Sequence, residues 1–217
     1  MYRSIYQSSE GLYEEKKSRF IANLFFIEDE EAAHEALATV KRAHPQARHH
    51  CSAYIIGEAK LIQRYSDDGE PSGTAGIPIL EVLKKEDLTN ILCVVTRYFG
   101  GTLLGAGGLV RAYTKATTDA LSNSVIVTMT PMDCVKLTFD YSMQGTIMYY
   151  LNQNGYQVLR EDYSDIVSLI LHAKEGSGKL TEDILELTSA KGTLEVLGCD
   201  VLPVKDGKII YERKTGN

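Results

Sequence analysis

The run Val94-Val95-Thr96-Arg97-Tyr98-Phe99-Gly100-Gly101-Thr102-Leu103-Leu104-Gly105-Ala106-Gly107-Gly108 reads as a strand, a glycine-rich loop and the approach to a helix. Asn90 to Tyr98, which holds the apolar run Ile91 to Val95, reads as a buried central strand. Gly100 to Gly108 reads as loop, and Leu109 to Leu121 as the helix after it. Glycines let backbone N–H groups turn toward an anion, and a helix N-terminus adds favourable partial charge. A Walker loop is excluded, because Gly100 and Gly105 are followed by Ala106-Gly107 instead of Gly-Lys-Ser/Thr. The dinucleotide fingerprint fails as well, since its third glycine would fall on Val110. Two readings stay open: a phosphate cradle built on Gly100, Gly101, Thr102 and Gly105, or glycines that only permit a tight turn and close packing. Arg97 and Arg111 flank the loop, where guanidinium forks meet phosphate or carboxylate. Their alternative is an ion pair with Asp67, Asp68 or Glu70.

Those acids lie upstream in Ser66-Asp67-Asp68-Gly69-Glu70-Pro71-Ser72-Gly73-Thr74-Ala75-Gly76, a loop by its density of breakers, with a helix from Ile77 to Lys85 behind it. Asp67, Asp68, Glu70 and Ser72 either shape the loop through its backbone N–H groups or form an alternative catalytic set. The spacing is not that of a calcium loop. Further upstream, Gly11 to Ile27 suggests a hairpin or two short strands around Lys16-Lys17-Ser18-Arg19, and Lys17 and Arg19 add positive charge. Glu28-Asp29-Glu30-Glu31 opens a helix that Pro45 closes. Two short strands follow, Cys51 to Ile56 and Leu61 to Tyr65. In His49-His50-Cys51 only His49 and Cys51 share a strand face, so no metal site is read there and no cofactor is expected. Lys41, Arg42 and Arg48 add a further basic group, read either as phosphate-neutralising or as solvated surface charge.

Downstream of Thr130 the pattern changes, and Pro131 marks the boundary between a first domain, 1–130, and a second, 131–217. Val135, Leu137 and Phe139 alternate in a strand, Met143 to Asn154 is helical, and Tyr156 to Asp162 and Ile166 to Ala173 are strands. Leu180 to Ala190 is a helix and Thr193 to Val204 a strand. Strand–helix–strand–strand–helix–strand is the ferredoxin-like order. The fold class is therefore α+β in two domains. The 217 residues carry a net charge of −6 and are 44% apolar, which argues against disorder and against wholesale coating of a polyanion. Residues up to Thr128 hold 14 basic and 16 acidic side chains, those beyond it 9 and 13, so the first domain is the better place for an anion. Cys51, Cys93, Cys134 and Cys199 lack metal or disulfide spacing and suit a reducing compartment. No leader or membrane-spanning run is read, so a cytoplasmic protein without membrane attachment is expected.

Gly76, Ile79-Leu80, Leu83, Leu88, Val94-Val95, Arg97-Tyr98-Phe99-Gly100-Gly101, Leu104 and Gly105 fall at the spacing of the IMPACT (YigZ) family, which the chain resembles. Lys17-Ser18-Arg19-Phe20, His50-Cys51-Ser52-Ala53-Tyr54 and Asp67-Asp68-Gly69-Glu70-Pro71 are similar to its other blocks. The resemblance implies a first domain with the fold of the second domain of ribosomal protein uS-five. It implies a second domain like the last domain of elongation factor G. Eukaryotic members act in translational control, competing for the activator of an amino-acid-starvation kinase. By fold analogy, the expectation is a non-catalytic protein that binds RNA, the ribosome or a translation-factor partner. Lys17, Arg19, Arg97, Arg111 and the loop at Gly100-Gly101 would form the anion-binding surface. The alternatives are an enzyme acting on a phosphorylated small molecule or nucleotide between the acidic and glycine loops, and a pure protein-docking module. The oligomeric state is left open.

Overall fold

The computed structural model describes residues 1–176 and 178–211, which fall into two units, Met1–Thr128 and Met129–Tyr211. In the first unit, β1 (Tyr2–Ile5) precedes a hairpin of β2 (Ser9–Glu15) and β3 (Ser18–Phe26). Its two-residue turn holds Lys16 and Lys17 at φ 46° and 64°, the double positive φ that matches the twist of the flanking strands. Helix α1 (Glu30–Ala43) starts where Asp29 accepts a 2.7 Å bond from the Ala32 N–H, satisfying one of the unpaired first-turn donors. Then come β4 (His49–Ile56), β5 (Ile62–Ser66), α2 (Gly76–Lys85), β6 (Ile91–Tyr98) and α3 (Gly105–Ser122).

The strands form an antiparallel sheet in the order β2-β3-β6-β4-β5. The apolar run Ile91 to Val95 of β6 follows from burial on both faces. Leu92 and Val94 pack with Ala33 and Val40 of α1, while Cys93 and Val95 pack with Ile79 and Leu83 of α2 and Ala112, Tyr113 and Ala116 of α3.

Helix α3 begins four residues earlier than the sequence suggests, so the loop proper is Phe99 to Leu104, and Gly105, Gly107 and Gly108 lie in the first helical turn. Glycine is a poor helix former, which moved the expected start downstream. The structure instead turns at Gly105 with φ +70° and packs Gly108 so closely that a Cβ there would stand 2.9 Å from that of Leu104.

Strand β7 (Ile126–Phe139), most of which belongs to the second unit, runs straight through Pro131, where a break was expected. Proline fits extended backbone and lacks only its N–H, and the ladder of β7 with the strand Val167–Lys174 begins one residue later, at Met132. After a short 3-10 turn, α4 (Gln144–Gln153), β8 (Val158–Tyr163), β9 (Val167–Lys174), α5 (Gly178–Leu187), β10 (Thr193–Lys205) and β11 (Lys208–Ile209) follow. The sheet order β11-β10-β7-β9-β8 is the ferredoxin-like arrangement with one extra edge strand. Val135, Leu137, Phe139, Leu169 and Leu171 pack on Ile147 and Leu151 of α4 and Ile184 of α5. Helix α5 ends short of Ala190, because Ser189 and Ala190 take φ of 52° and 61°. Among the described residues no helix is long and apolar enough to cross a membrane.

Candidate functional site

The acidic loop is held by its own carboxylates. Asp67 accepts from the N–H groups of Gly73, Ala75 and Gly76 at 2.8, 3.0 and 2.8 Å, so it secures the loop and caps the start of α2. Asp68 accepts from the His50 N–H at 2.7 Å and lies 3.7 Å from the Lys41 ammonium. Ser72 is exposed on the loop.

Glu70 points inward. Its Oε1 accepts from Arg97 Nη1 at 2.6 Å and from the Tyr113 hydroxyl at 2.8 Å. The ion pair is buried, with side-chain exposures of 4% for Glu70 and 6% for Arg97. The guanidinium sits between two rings, its central carbon 5.4 Å from the Phe20 centroid and 5.6 Å from that of Phe99. Its Nε, also buried, has no hydrogen-bond partner among the described residues. Cys51 completes the cluster, with Sγ 3.3 Å from the Tyr113 oxygen and 2.9 Å from the Asp67 carbonyl. Burial pushes the Cys51 thiol up to about 12, and burial with the neighbouring Cys51 and Glu70 drives the Tyr113 hydroxyl far above its ordinary range. Both stay protonated at neutral pH, so Cys51 is not set up as a nucleophile.

Beside this network lies a cavity of about 760 Å³, lined by Arg48, His49, Glu70, Arg97, Phe99, Gly105 and Ala106 among others. Gly105 and Ala106 form the first turn of α3, whose N-cap, Leu104, offers no side-chain acceptor, and no acidic residue stands in that turn. The unpaired N–H groups there leave partial positive charge at the cavity wall. Phe99 contributes an apolar rim and is 54% exposed.

The residues read from the sequence are distributed unevenly. Glu70, Arg97 and Gly105 meet at the cavity. Gly100 packs against the hairpin turn: its N–H donates to Ser18 Oγ at 3.1 Å, and a Cβ would stand 2.1 Å from the Lys17 carbonyl carbon. That contact places exposed Lys17 beside the glycine loop. Gly101, at φ +86°, and Thr102 are exposed on the loop. Arg111 is exposed on α3, and Arg19 pairs with Glu14 at 3.3 Å on the hairpin surface. Of the two readings of Arg97, the geometry gives the ion pair with Glu70. Sequence reasoning missed Tyr113 and Gln46. It treated Arg48 and His49 as separate features, although both line the cavity.

Comparison with known proteins places this site in context. Residues 16–121 match the Impact N-terminal domain, and residues 137–191 match a domain of unknown function (DUF1949). Over 203 residues the chain is 39% identical to the IMPACT family member YvyE of Bacillus subtilis, covering 93% of this chain and 89% of that one. The chain belongs to the IMPACT family. The family member YigZ of Escherichia coli is 37% identical over 188 residues, covering 85% of this chain and 91% of that one. A solved structure described as a hypothetical protein aligns with TM-score 0.59 and 32% identity, covering 91% of this chain and 97% of its own. The matched residues 16–121 include the hairpin turn, the acidic loop, the glycine loop and α3, so the cavity lies within the part that defines the family.

Proposed function

We propose that this IMPACT family protein is a non-catalytic cytosolic component of translation or its regulation that binds single-stranded RNA through the first unit. One phosphate would lie at the uncapped start of α3 in the cavity. The carrying observation is that this helix start, Arg48 and Arg97 line one cavity. Exposed Phe99 offers a face on which a base stacks, a contact that tolerates any sequence. Lys17 and Arg111 would track neighbouring phosphates.

The test is anisotropy of a labelled single-stranded RNA titrated with the full chain at several salt concentrations. Neutralising two or three phosphates gives a log–log salt slope of about −2. Arg48→Ala and Arg111→Ala, both exposed positions, should each flatten that slope and weaken binding several-fold. No affinity at low salt, or affinity untouched by both changes, overturns the reading.

A second reading, a phosphorylated small molecule or nucleotide as the ligand, is favoured by the cavity volume, which lies within the range of roughly 300–1,000 Å³ typical of small-ligand sites. It predicts a melting-temperature rise with mononucleotides as large as with RNA, whereas the RNA reading predicts a larger rise with the oligomer.

A further inference from the structure

Three strands of the second unit bring together residues that lie far apart in sequence. Strand β7 sits between β9 and β10, and Cys134 on β7 is the cross-strand partner of His172 on β9. Val135 and Leu171 beside them face α4 and α5, so Cys134 and His172 point to the opposite face of the sheet. Asp200 on β10 joins them there. One Sγ, one ring nitrogen and one carboxylate oxygen from these residues all lie within 4.8 Å of one another. Nε2 of His172 is 2.9 Å from Asp200 Oδ2, while its Nδ1 is buried with no hydrogen-bond partner among the described residues. Tyr211 stacks on the imidazole with centroids 5.6 Å apart, holding its plane.

We propose that Cys134, His172 and Asp200 bind a divalent transition-metal ion, with Zn²⁺ the best match. The donor set is one sulfur, one nitrogen and one oxygen, which suits a borderline ion and disfavours Mg²⁺ and Ca²⁺ with their all-oxygen shells. Three atoms no more than 4.8 Å apart share a centre at most about 2.8 Å from each, against zinc bond lengths of roughly 2.0–2.3 Å. Small side-chain rotations close that difference. His172 is 9% exposed and Asp200 is 56% exposed at its side chain, so the site has a fixed inner wall and an open entry. Three protein ligands leave a fourth tetrahedral position to water or to a ligand's own donor atom. A Cys–His–Asp nucleophilic triad fits less well. It needs a thiol–imidazole hydrogen bond, and here Nε2 is engaged by Asp200 while Nδ1 has no partner among the described residues.

The experiment is titration of the reduced full chain with Co²⁺, followed by displacement with Zn²⁺. The expected result is saturation at one equivalent, with visible bands of a tetrahedral ion and a sulfur-to-cobalt charge-transfer band that zinc abolishes. Cys134→Ser should remove the charge-transfer band, and Asp200→Asn should weaken affinity at least tenfold. A spectrum of six-coordinate cobalt without sulfur bands overturns the assignment, as does a sulfur band that survives Cys134→Ser. If Cys134→Ser does not fold, Asp200→Asn decides alone, because the change lies on an exposed side chain: unchanged affinity there refutes the site.

Discussion

Glu70→Gln separates the structural role of the buried network from its role in binding. The substitution keeps an oxygen that accepts from Arg97 and Tyr113 but removes the charge that balances the guanidinium. Removing one partner of a buried ion pair costs about 3–5 kcal/mol. Because both hydrogen bonds at 2.6 and 2.8 Å keep an acceptor, the lower end, about 3 kcal/mol, is expected. For a unit of this size that lowers the melting temperature on the order of 10 °C. The assay is thermal unfolding by circular dichroism, with hydrogen exchange assigning the shifted transition to the first unit. The unmatched cation now faces the cavity, so RNA should stabilise the variant more than the parent. A ligand at a hundred times its dissociation constant adds about 2.7 kcal/mol, nearly enough to restore the parent's stability. Tyr113→Phe is the control: it removes one bond to the same oxygen, costs about 1 kcal/mol and leaves the charges paired. An unshifted melting temperature in Glu70→Gln would refute the buried pair. A destabilised variant that gains no more from RNA than the parent would refute the cavity as the anion site.

Gly100→Ala should destabilise the first unit by about 1–3 kcal/mol, since its Cβ would meet Lys17 and Ser18 backbone atoms at 2.1 and 2.3 Å. Gly101→Ala, with open space around it and only the strain of φ +86°, should cost about 1–2 kcal/mol; calorimetry showing Gly101→Ala the costlier contradicts the packing argument. Burial lowers the His50 pKa from its ordinary 6.5, so the folded state holds the ring neutral and the unfolded state takes up the proton first. That contribution is fully present above pH 6.5 and is lost as pH falls toward the lowered folded value. Urea titrations across this window should therefore show a slope in stability that His50→Gln reduces, and an identical slope in the variant refutes the assignment.

Much of the fold was legible because burial imposes periodicity. The run from Ile91 to Val95 could only be a strand covered on both faces, and Val135, Leu137 and Phe139 alternate because one face meets two helices. The misplacements at Gly105 and Pro131 share a cause. Both residues act as breakers on average, yet a first helical turn tolerates glycine, and a strand tolerates proline just outside one of its ladders. Strands β1 and β11 went unread, being four and two residues long. At the site, the pairing of Arg97 with an acid of the loop was one of two open alternatives, and choosing between them required the packing of strand and loop 27 residues apart. Tyr113 gave no separate signal, since a tyrosine on the buried face of a helix looks like core. Cys134, His172 and Asp200 carry no motif spacing at all; only the strand order unites them.

The ion pair also shapes what kind of polyanion suits the first unit. A chain of net charge −6 has no long-range field to draw in nucleic acid, and Glu70 cancels the one arginine placed deepest in the site. What remains positive is local: the α3 N–H groups, Arg48, Arg111 and Lys17. Partial charges at a helix end act over about one turn and reach only a phosphate that enters the cavity. A duplex, with its phosphates splayed along a stiff backbone, presents no such entering group beside an unstacked base, whereas a single strand or a strand end presents both. Single-stranded over double-stranded preference, with a shallow salt slope, is therefore the signature this charge arrangement demands, and a steep slope with duplex preference is incompatible with it.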